Sequence, residues 1–202
     1  MQPQEVMDIL SSVGAIRHGH FELSSGLHSD TYVQCALILQ YPFYAEQLGT
    51  LLAAEFAGLE IGCVVSPALG GVILGHEVAR ALGPTHPGKG VPAIFVERDA
   101  TGRMSLRRGF SIEPGQPVLV VEDVWTTGGS TFEAIRVVEE AGGRVVAAGA
   151  IIDRSQGRLE LPVRAESLVQ LDIQSYQADE CPLCRAGSAA VKPGSRFVRA
   201  AL

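Results

Sequence analysis

Val118-Leu119-Val120-Val121-Glu122-Asp123-Val124-Trp125-Thr126-Thr127-Gly128-Gly129-Ser130-Thr131 is the stretch on which the reading of this chain turns. Four consecutive apolar residues predict a strand buried on both faces, as in a parallel sheet covered by helices. That strand is expected to end at the two acids, with a Thr/Gly/Ser loop opening a helix over Thr131 to Ala141. A helix N-terminus presents unpaired N–H groups and the positive end of its dipole. The glycines allow close backbone approach, and Thr126, Thr127 and Ser130 add hydroxyl donors, so the loop suits a phosphate. Glu122 and Asp123 cannot ligate an anion. As acceptors one loop away, they suit the vicinal hydroxyls of a ribose joined to that phosphate. An ordinary turn and helix cap would leave two acids closing a buried strand without partners, which is costly. No Gly-Lys-Ser/Thr is present, and no Gly-x-Gly-x-x-Gly follows a strand, so nucleoside-triphosphate loops and dinucleotide folds are disfavoured.

On either side of this stretch, short apolar runs alternate with helical patterns: Cys63 to Val65, Val72 to Leu82, Ala93 to Val96, Thr131 to Ala141, Val145 to Ile152, and a further strand over Leu168 to Ile173. This alternation predicts an α/β fold, a twisted mainly parallel sheet flanked by helices, which binds ligands beyond the carboxyl ends of its strands. Residues 1–60 read differently. Helical spacing of Val6, Ile9, Leu10 and Val13 is followed by a polar, histidine-bearing loop and hairpin, a short strand-like run from Thr31 to Ala36, and a second helix from Pro42 towards Gly58. The expected organisation is one domain: a hood over 1–60, an α/β core over 61–176 and an irregular tail over 177–202.

The composition fits an enzyme of small molecules. Of 202 residues 47% are hydrophobic, enough for a real core, and the net charge of -6 carries no basic run of the kind that marks a nucleic-acid binder. The longest uncharged stretch, Ile61 to Gly75, is too short and too rich in glycine to span a membrane. Met1 to Leu10 has acids where a secretory signal would have a basic region, so a cytoplasmic location and reduced cysteines are expected. The only lysines, Lys89 and Lys192, leave Schiff-base chemistry almost without candidates.

Val121 to Ser130 resembles the phosphoribosyl-pyrophosphate motif of the type I phosphoribosyltransferases, and further segments resemble the orotate-using branch of that family along nearly the whole chain. Gly19 to Asp30 is similar to its base-binding loop, Ser66-Pro-Ala-Leu-Gly-Gly71 to its pyrophosphate loop, and Gly102 to Phe110 to its mobile catalytic loop. Asp153-Arg154 is similar to its orotate-contacting dipeptide, and Cys181-Pro-Leu-Cys-Arg with Lys192 to Arg196 to the tail of one subgroup. The resemblance implies transfer of a phosphoribosyl group from its pyrophosphate to orotate. Mg²⁺ would be held mainly by substrate rather than by direct protein ligands, and the enzyme would be a homodimer whose loop 98–110 is shared across subunits.

Chemistry assigns roles to the matching residues. Breaking the anomeric bond builds positive charge on the ribose and negative charge on the leaving pyrophosphate, so Glu122 and Asp123 should face the sugar and cations should surround the leaving group. Arg98, Arg103, Arg107 and Arg108 are the candidate cations, with Arg103 catalytic, in a loop suited to fold down as a lid. Arg98, Arg103 and the run from Glu122 through Val124, Trp125, Thr126, Thr127, Gly128 and Gly129 to Ser130 are the candidate contacts of phosphoribosyl pyrophosphate. Ala68, Leu69, Gly70 and Gly71 form the pyrophosphate loop, and Thr126, Arg154, Ser25 and Gly26 the orotate site, where a planar guanidinium can clamp a carboxylate.

The sequence departs from the family pattern at three places. Asp99 and Arg103 stand at or near lysine positions, Ser24 replaces a substrate-facing lysine, and Leu69-Gly70 lacks the lysine of other pyrophosphate loops. Trp125 stands where an aliphatic residue is usual, packed under the loop or turned toward the base. His18, His20 and His28 have no Cys or acid at ligand spacing and read as turn hydrogen bonding. Cys181 and Cys184 form half of a zinc ribbon and read as free thiols, with a disulfide or an intersubunit metal left open. A purine-type transferase and a non-catalytic sensor of phosphoribosyl pyrophosphate are the rival functions. The first would want aromatic stacking in the hood, and the second a nucleic-acid surface.

Overall fold

The computed structural model describes residues 2–23, 26–83 and 90–193. In chain order its elements are α1 (Pro3–Ser12), β1 (Ile16–Glu22), β2 (His28–Val33), α2 (Ala36–Leu39), α3 (Pro42–Glu55), β3 (Cys63–Pro67) and α4 (Gly70–Leu82). There follow β4 (Ala93–Arg98), β5 (Met104–Leu106), β6 (Pro117–Trp125), α5 (Gly129–Glu140), β7 (Arg144–Asp153), β8 (Arg164–Gln170), β9 (Ser175–Tyr176) and α6 (Pro182–Arg185).

The continuous apolar runs form a six-stranded sheet in the order β5-β4-β3-β6-β7-β8, parallel except for the short edge strand β5. Alternate residues of β6 serve opposite faces. Leu119 and Val121 pack with Leu48, Leu52 and Phe56 of the α3 segment and Leu74 and Val78 of α4. Val118 and Val120 pack with Ala134, Ile135 and Val138 of α5. This two-sided burial explains why the strand reads as an unbroken apolar run. After β3 the chain adds β4 on one side and returns to place β6 on the other, so the order reverses between β3 and β6. The loops leaving those two strands diverge at that point and frame a crevice.

Four expectations change. β6 does not stop at the acids: it runs on to Trp125, because β7 continues the parallel ladder as far as Asp153 opposite Trp125. The strand-like run at 31–36 is β2 ending at Val33, and residues 36–39 turn into α2, whose Ile38 and Leu39 are buried. Residue 60 is not a structural boundary. Val6 and Leu10 of α1 and the apolar face of α3 belong to the same core as the sheet. The tail is irregular only in part, since it forms α6, and the chain leading into it and within it fastens to the hood. β9 pairs with β2, and the Val191 backbone pairs with His20 and Glu22 beside β1, so the hood is a hairpin completed by the C-terminal region.

The packing of α3 on α4 depends on Gly49. A β-carbon there would lie 2.5 Å from the Glu77 Cβ and 2.8 Å from the Glu77 carbonyl carbon, leaving no space between the helices. Gly49→Ala should therefore destabilise the fold by about 1–3 kcal/mol, read as a lower urea midpoint with an unchanged m-value. An equilibrium unfolding curve that overlays the wild type would show that the two helices are not in contact there.

Candidate active site

The crevice at the switch point brings together the two loops singled out from sequence. Gly70, the first residue of α4, lies directly against the Asp123 carboxylate, and Gly71 packs on the Val121 carbonyl with 2.7 Å to a notional β-carbon. The pyrophosphate-loop candidates Ala68 to Gly71 therefore abut the acidic pair although half a hundred residues separate them. Leu69 projects outward, 86% exposed, and the first turn of α4 offers its backbone N–H groups toward the crevice.

The second loop is built on Gly128, which holds φ +75°, a left-handed backbone strained for other residue types, and packs against the tip of Leu159. It turns the chain from β6 into α5 and leaves Thr126, Thr127 and Gly129 exposed at the helix N-terminus. Phe132 N–H donates to the Gly128 carbonyl at 2.8 Å, so the first turn is formed and its earlier N–H groups are presented.

Glu122 and Asp123 are half-buried and, among the described residues, pair with no basic side chain. Burial pushes the Glu122 carboxyl up to about 7, against the downward pull of the Thr131 hydroxyl, with the neighbouring Asp123 charge adding to the rise. Burial also raises Asp123, opposed by N–H donors of its own backbone and of Val124. Thr131 donates to the Glu122 carboxylate and accepts from the Trp125 indole N–H at 2.9 Å. The Trp125 side chain is thus locked in the core, 2% exposed, and only its backbone borders the crevice. Val124, half-buried, likewise packs its side chain toward the core. Thr131 had no assigned role from sequence. Its signal was a hydroxyl at a core position of the helix, in register with buried Ala134, Ile135 and Val138.

Beside this loop opens a cleft of about 620 Å³ lined by Leu23, Leu27, Tyr32, Thr126, Thr127 and Arg154, among others. Arg154 N–H donates to the Trp125 carbonyl at 2.9 Å, which fixes the residue at the end of the β6–β7 ladder. Its guanidinium is half-buried, burial pulls its pKa down, and no described carboxylate lies within ion-pairing distance. The adjacent Asp153 is occupied otherwise, accepting the Ser155 N–H at 2.7 Å. Gly26 sits in the tight turn joining β1 to β2, with its N–H on the Leu23 carbonyl at 2.9 Å. Ser24 and Ser25 lie outside the described residues. Tyr32 and Arg158, which sequence reading passed over, also line the cleft.

The arginine loop is the main departure. It is a β4–β5 hairpin, with a tip held by Asp99, which accepts from the Thr101 and Arg103 N–H groups. Arg98 pairs with Glu133 at 2.7 Å and Arg103 with Glu140 at 3.2 Å, while Arg107 and Arg108 both reach Glu97. Glu140 ends α5, about 16 Å along the helix from Gly129 at 1.5 Å per residue. The structure therefore does not bring Arg103 to the acidic pair of its own chain, because acids along α5 offer nearer partners.

The desolvated Glu122 has a stability consequence. The folded state holds this proton more tightly than the unfolded state, so its contribution falls as pH rises from about 4.5 to about 7, and the full penalty remains above that. In ligand-free protein at pH 8, Glu122→Gln should be more stable than wild type by on the order of 2 kcal/mol, with the gap closing toward pH 4.5. Urea unfolding at several pH values measures this; equal stabilities at pH 8 would place the carboxyl in water.

Comparison with known proteins agrees with this geometry. The phosphoribosyl transferase domain family matches residues 47–180. The orotate phosphoribosyltransferase of Pelotomaculum thermopropionicum is 52% identical over 198 residues, covering 98% of this chain and 100% of that protein. That of a Thermoanaerobacter species is 50% identical over 196 residues, covering 97% and 99%. Among solved structures, Mycobacterium tuberculosis orotate phosphoribosyltransferase in complex with 5-phospho-alpha-D-ribosyl 1-diphosphate superposes with a TM-score of 0.66 at 26% identity, covering 84% of this chain and 96% of that one. A parallel sheet with a glycine-bent loop opening a helix at its switch point, matched end to end by such relatives, places this chain in the orotate phosphoribosyltransferase family of type I phosphoribosyltransferases.

Proposed function

We propose that this chain transfers the phosphoribosyl group of 5-phospho-alpha-D-ribosyl 1-diphosphate to orotate, releasing pyrophosphate and orotidine 5'-monophosphate. The observation that carries this reading is Arg154, a half-buried guanidinium without a described carboxylate partner, in a cleft that shares Thr126 and Thr127 with the phosphate loop. An unpaired buried cation is costly, and an acidic pyrimidine supplies the missing charge. A neutral purine would leave it unpaired.

In this reading Thr126 to Ser130 hold the 5'-phosphate at the α5 N-terminus. The backbone of Ala68 to Gly71 receives the pyrophosphate at the α4 N-terminus, and Glu122 and Asp123 face the ribose between them. Orotate docks on Arg154 and Thr126, under the hairpin end that contains Ser25 and Gly26. The N1–C1' bond forms as the C1'–O bond to pyrophosphate breaks, and the N1 proton leaves to solvent. Cationic character on the ribose is stabilised by the carboxylates, whose shielding from water strengthens the interaction. Glu122 and Asp123 are hard oxygen donors beside the place of the leaving group and would help hold a Mg²⁺ ion that arrives with the substrate, whose charge would offset that of the departing pyrophosphate.

The leaving-group cation comes from a second copy of the chain. Arg103 is tethered far from its own acidic pair, so the proposed homodimer, working in the cytosol, shares the 98–110 segment across subunits. Among the described residues no helix is long and apolar enough to cross a membrane.

The direct test follows the loss of orotate absorbance on adding phosphoribosyl pyrophosphate and Mg²⁺, with adenine, guanine and uracil in parallel; turnover is expected with orotate alone. Arg154→Ala should raise the KM for orotate roughly 30-fold or more while changing that for phosphoribosyl pyrophosphate far less. Equal effects on both would remove Arg154 from the base site. Asp123→Asn and Arg103→Ala chains, each nearly inactive alone, should regain activity when mixed into heterodimers, through the one site that receives both intact parts. Verified heterodimers without activity would place the loop in its own subunit's site.

A further inference from the structure

The hood holds a cluster that the transfer reaction does not use. His20 of β1, His28 of β2, Cys181 and Cys184 of the tail converge so that one ligand atom of each lies within 4.8 Å of all the others. Sequence alone reads the histidines as turn hydrogen bonding and the cysteines as free thiols, with a disulfide or an intersubunit metal open; the fold joins them across 161 residues. His18 stays apart, with its Nδ1 on the Thr31 hydroxyl at 3.2 Å.

We propose that His20, His28, Cys181 and Cys184 bind a structural zinc ion. The His20 Nε2 to His28 Nδ1 distance is 2.9 Å, and the sulfur–nitrogen distances are 3.5 Å (Cys181 to His20), 3.7 Å (Cys184 to His20) and 3.3 Å (Cys184 to His28). Tetrahedral zinc with Zn–N about 2.0–2.1 Å and Zn–S about 2.3 Å calls for nitrogen–nitrogen separations of about 3.3 Å and nitrogen–sulfur separations of about 3.6 Å. The three sulfur–nitrogen distances lie within about 0.3 Å of that requirement, and the two nitrogens stand about 0.4 Å closer than a bound ion would hold them.

Hydrogen bonding alone does not account for it. His20 Nδ1–H donates to the Ser188 carbonyl at 2.9 Å, so in the neutral ring Nε2 carries a single inward lone pair. His28 Nδ1, Cys181 Sγ and Cys184 Sγ all crowd onto that one acceptor. A cation at the centre gives each of the four its own bond, and the Ser188 carbonyl then serves as the outer partner that fixes the ring. His20, His28 and Cys181 are buried and Cys184 is half-buried, so the site is closed, as structural zinc sites are. Two thiolates neutralise a divalent ion, which lowers the cost of burying it, and two thiolates with two imidazoles favour zinc over the oxygen-seeking magnesium or calcium.

Local structure prepares both halves. The hairpin register shifts between His18 and Phe21, and in that irregular stretch the His20 ring meets the His28 ring edge-on, with centroids 4.9 Å apart. Cys181 precedes α6 and Cys184 lies within it, a spacing that turns two sulfurs to one side. The ion would clamp the tail to the hairpin whose end, at Leu23 and Leu27, lines the cleft.

The test does not depend on what the cleft binds. Full-length protein grown with zinc and purified without chelator should contain about one zinc per chain by elemental mass spectrometry. Replacement by Co²⁺ should give the intense visible bands of tetrahedral cobalt together with thiolate charge transfer. Cys184→Ser and His28→Gln should each reduce bound zinc about tenfold or more, because a lost ligand opens the site. A chelator should lower the wild-type Tm by several degrees while leaving those variants unmoved. The proposal is overturned if wild type holds less than about a tenth of an equivalent and takes up no cobalt. Zinc retained in a Cys181→Ser/Cys184→Ser chain, or a Cys181–Cys184 disulfide in freshly purified protein, overturns it equally.

Discussion

The closeness of Gly70 to the Asp123 carboxylate is the constraint on which the site depends. The α4 N-terminus and the end of β6 can share one crevice only because no side chain stands between them. That proximity follows from strand order: β3 and β6 are hydrogen-bonded neighbours, so the loops leaving them emerge side by side. Two helix N-termini, each with unpaired N–H groups, thus flank one pair of acids. Anion sites on both sides of a carboxylate pair suit a sugar with a phosphate at one end and a pyrophosphate at the other.

The acids sit in this place at an energetic cost that the surrounding fold offsets. Glu122 is desolvated enough for its pKa to approach neutrality, and it is tied through Thr131 to the Trp125 indole in the core. The carboxylate is therefore held by the packing of α5 on the sheet rather than by a surface ion pair. A preorganised charge of this kind is most effective when a cationic centre develops opposite it, since little reorganisation is left to do. Arg154 is the counterpart of opposite sign. The end of the β6–β7 ladder fixes its backbone, and no described carboxylate lies within ion-pairing distance of its guanidinium.

The hood stands in a different relation to the core. Its sheet has three short strands, one of them only two residues long, and the end of its first hairpin lines the cleft. What fastens them is the C-terminal region: β9 beside β2, Val191 beside β1, the Ser29 hydroxyl on the Gln174 carbonyl at 2.8 Å, and the histidine–cysteine cluster. Chain end and chain beginning close the same wall of the cleft.

Local residue patterns were enough to predict the βα alternation, the glycine-bent turn into a helix after Thr126 and Thr127, and the position of Arg154 beyond a strand. Each rests on properties confined to a few neighbouring residues: apolar runs, glycine backbone freedom and hydroxyls at a helix start. The extension of β6 to Trp125 was not legible, because acids seldom continue a buried strand and only pairing with β7 carries it on. The partners of Arg98 and Arg103 were equally hidden, since a guanidinium takes whichever acid the packing of α5 brings near. The joining of His20 and His28 with Cys181 and Cys184 was the furthest from view. Ligand spacing along a chain reveals a metal site only when its residues are close in sequence, and these two pairs meet because the sheet returns the tail to the first hairpin.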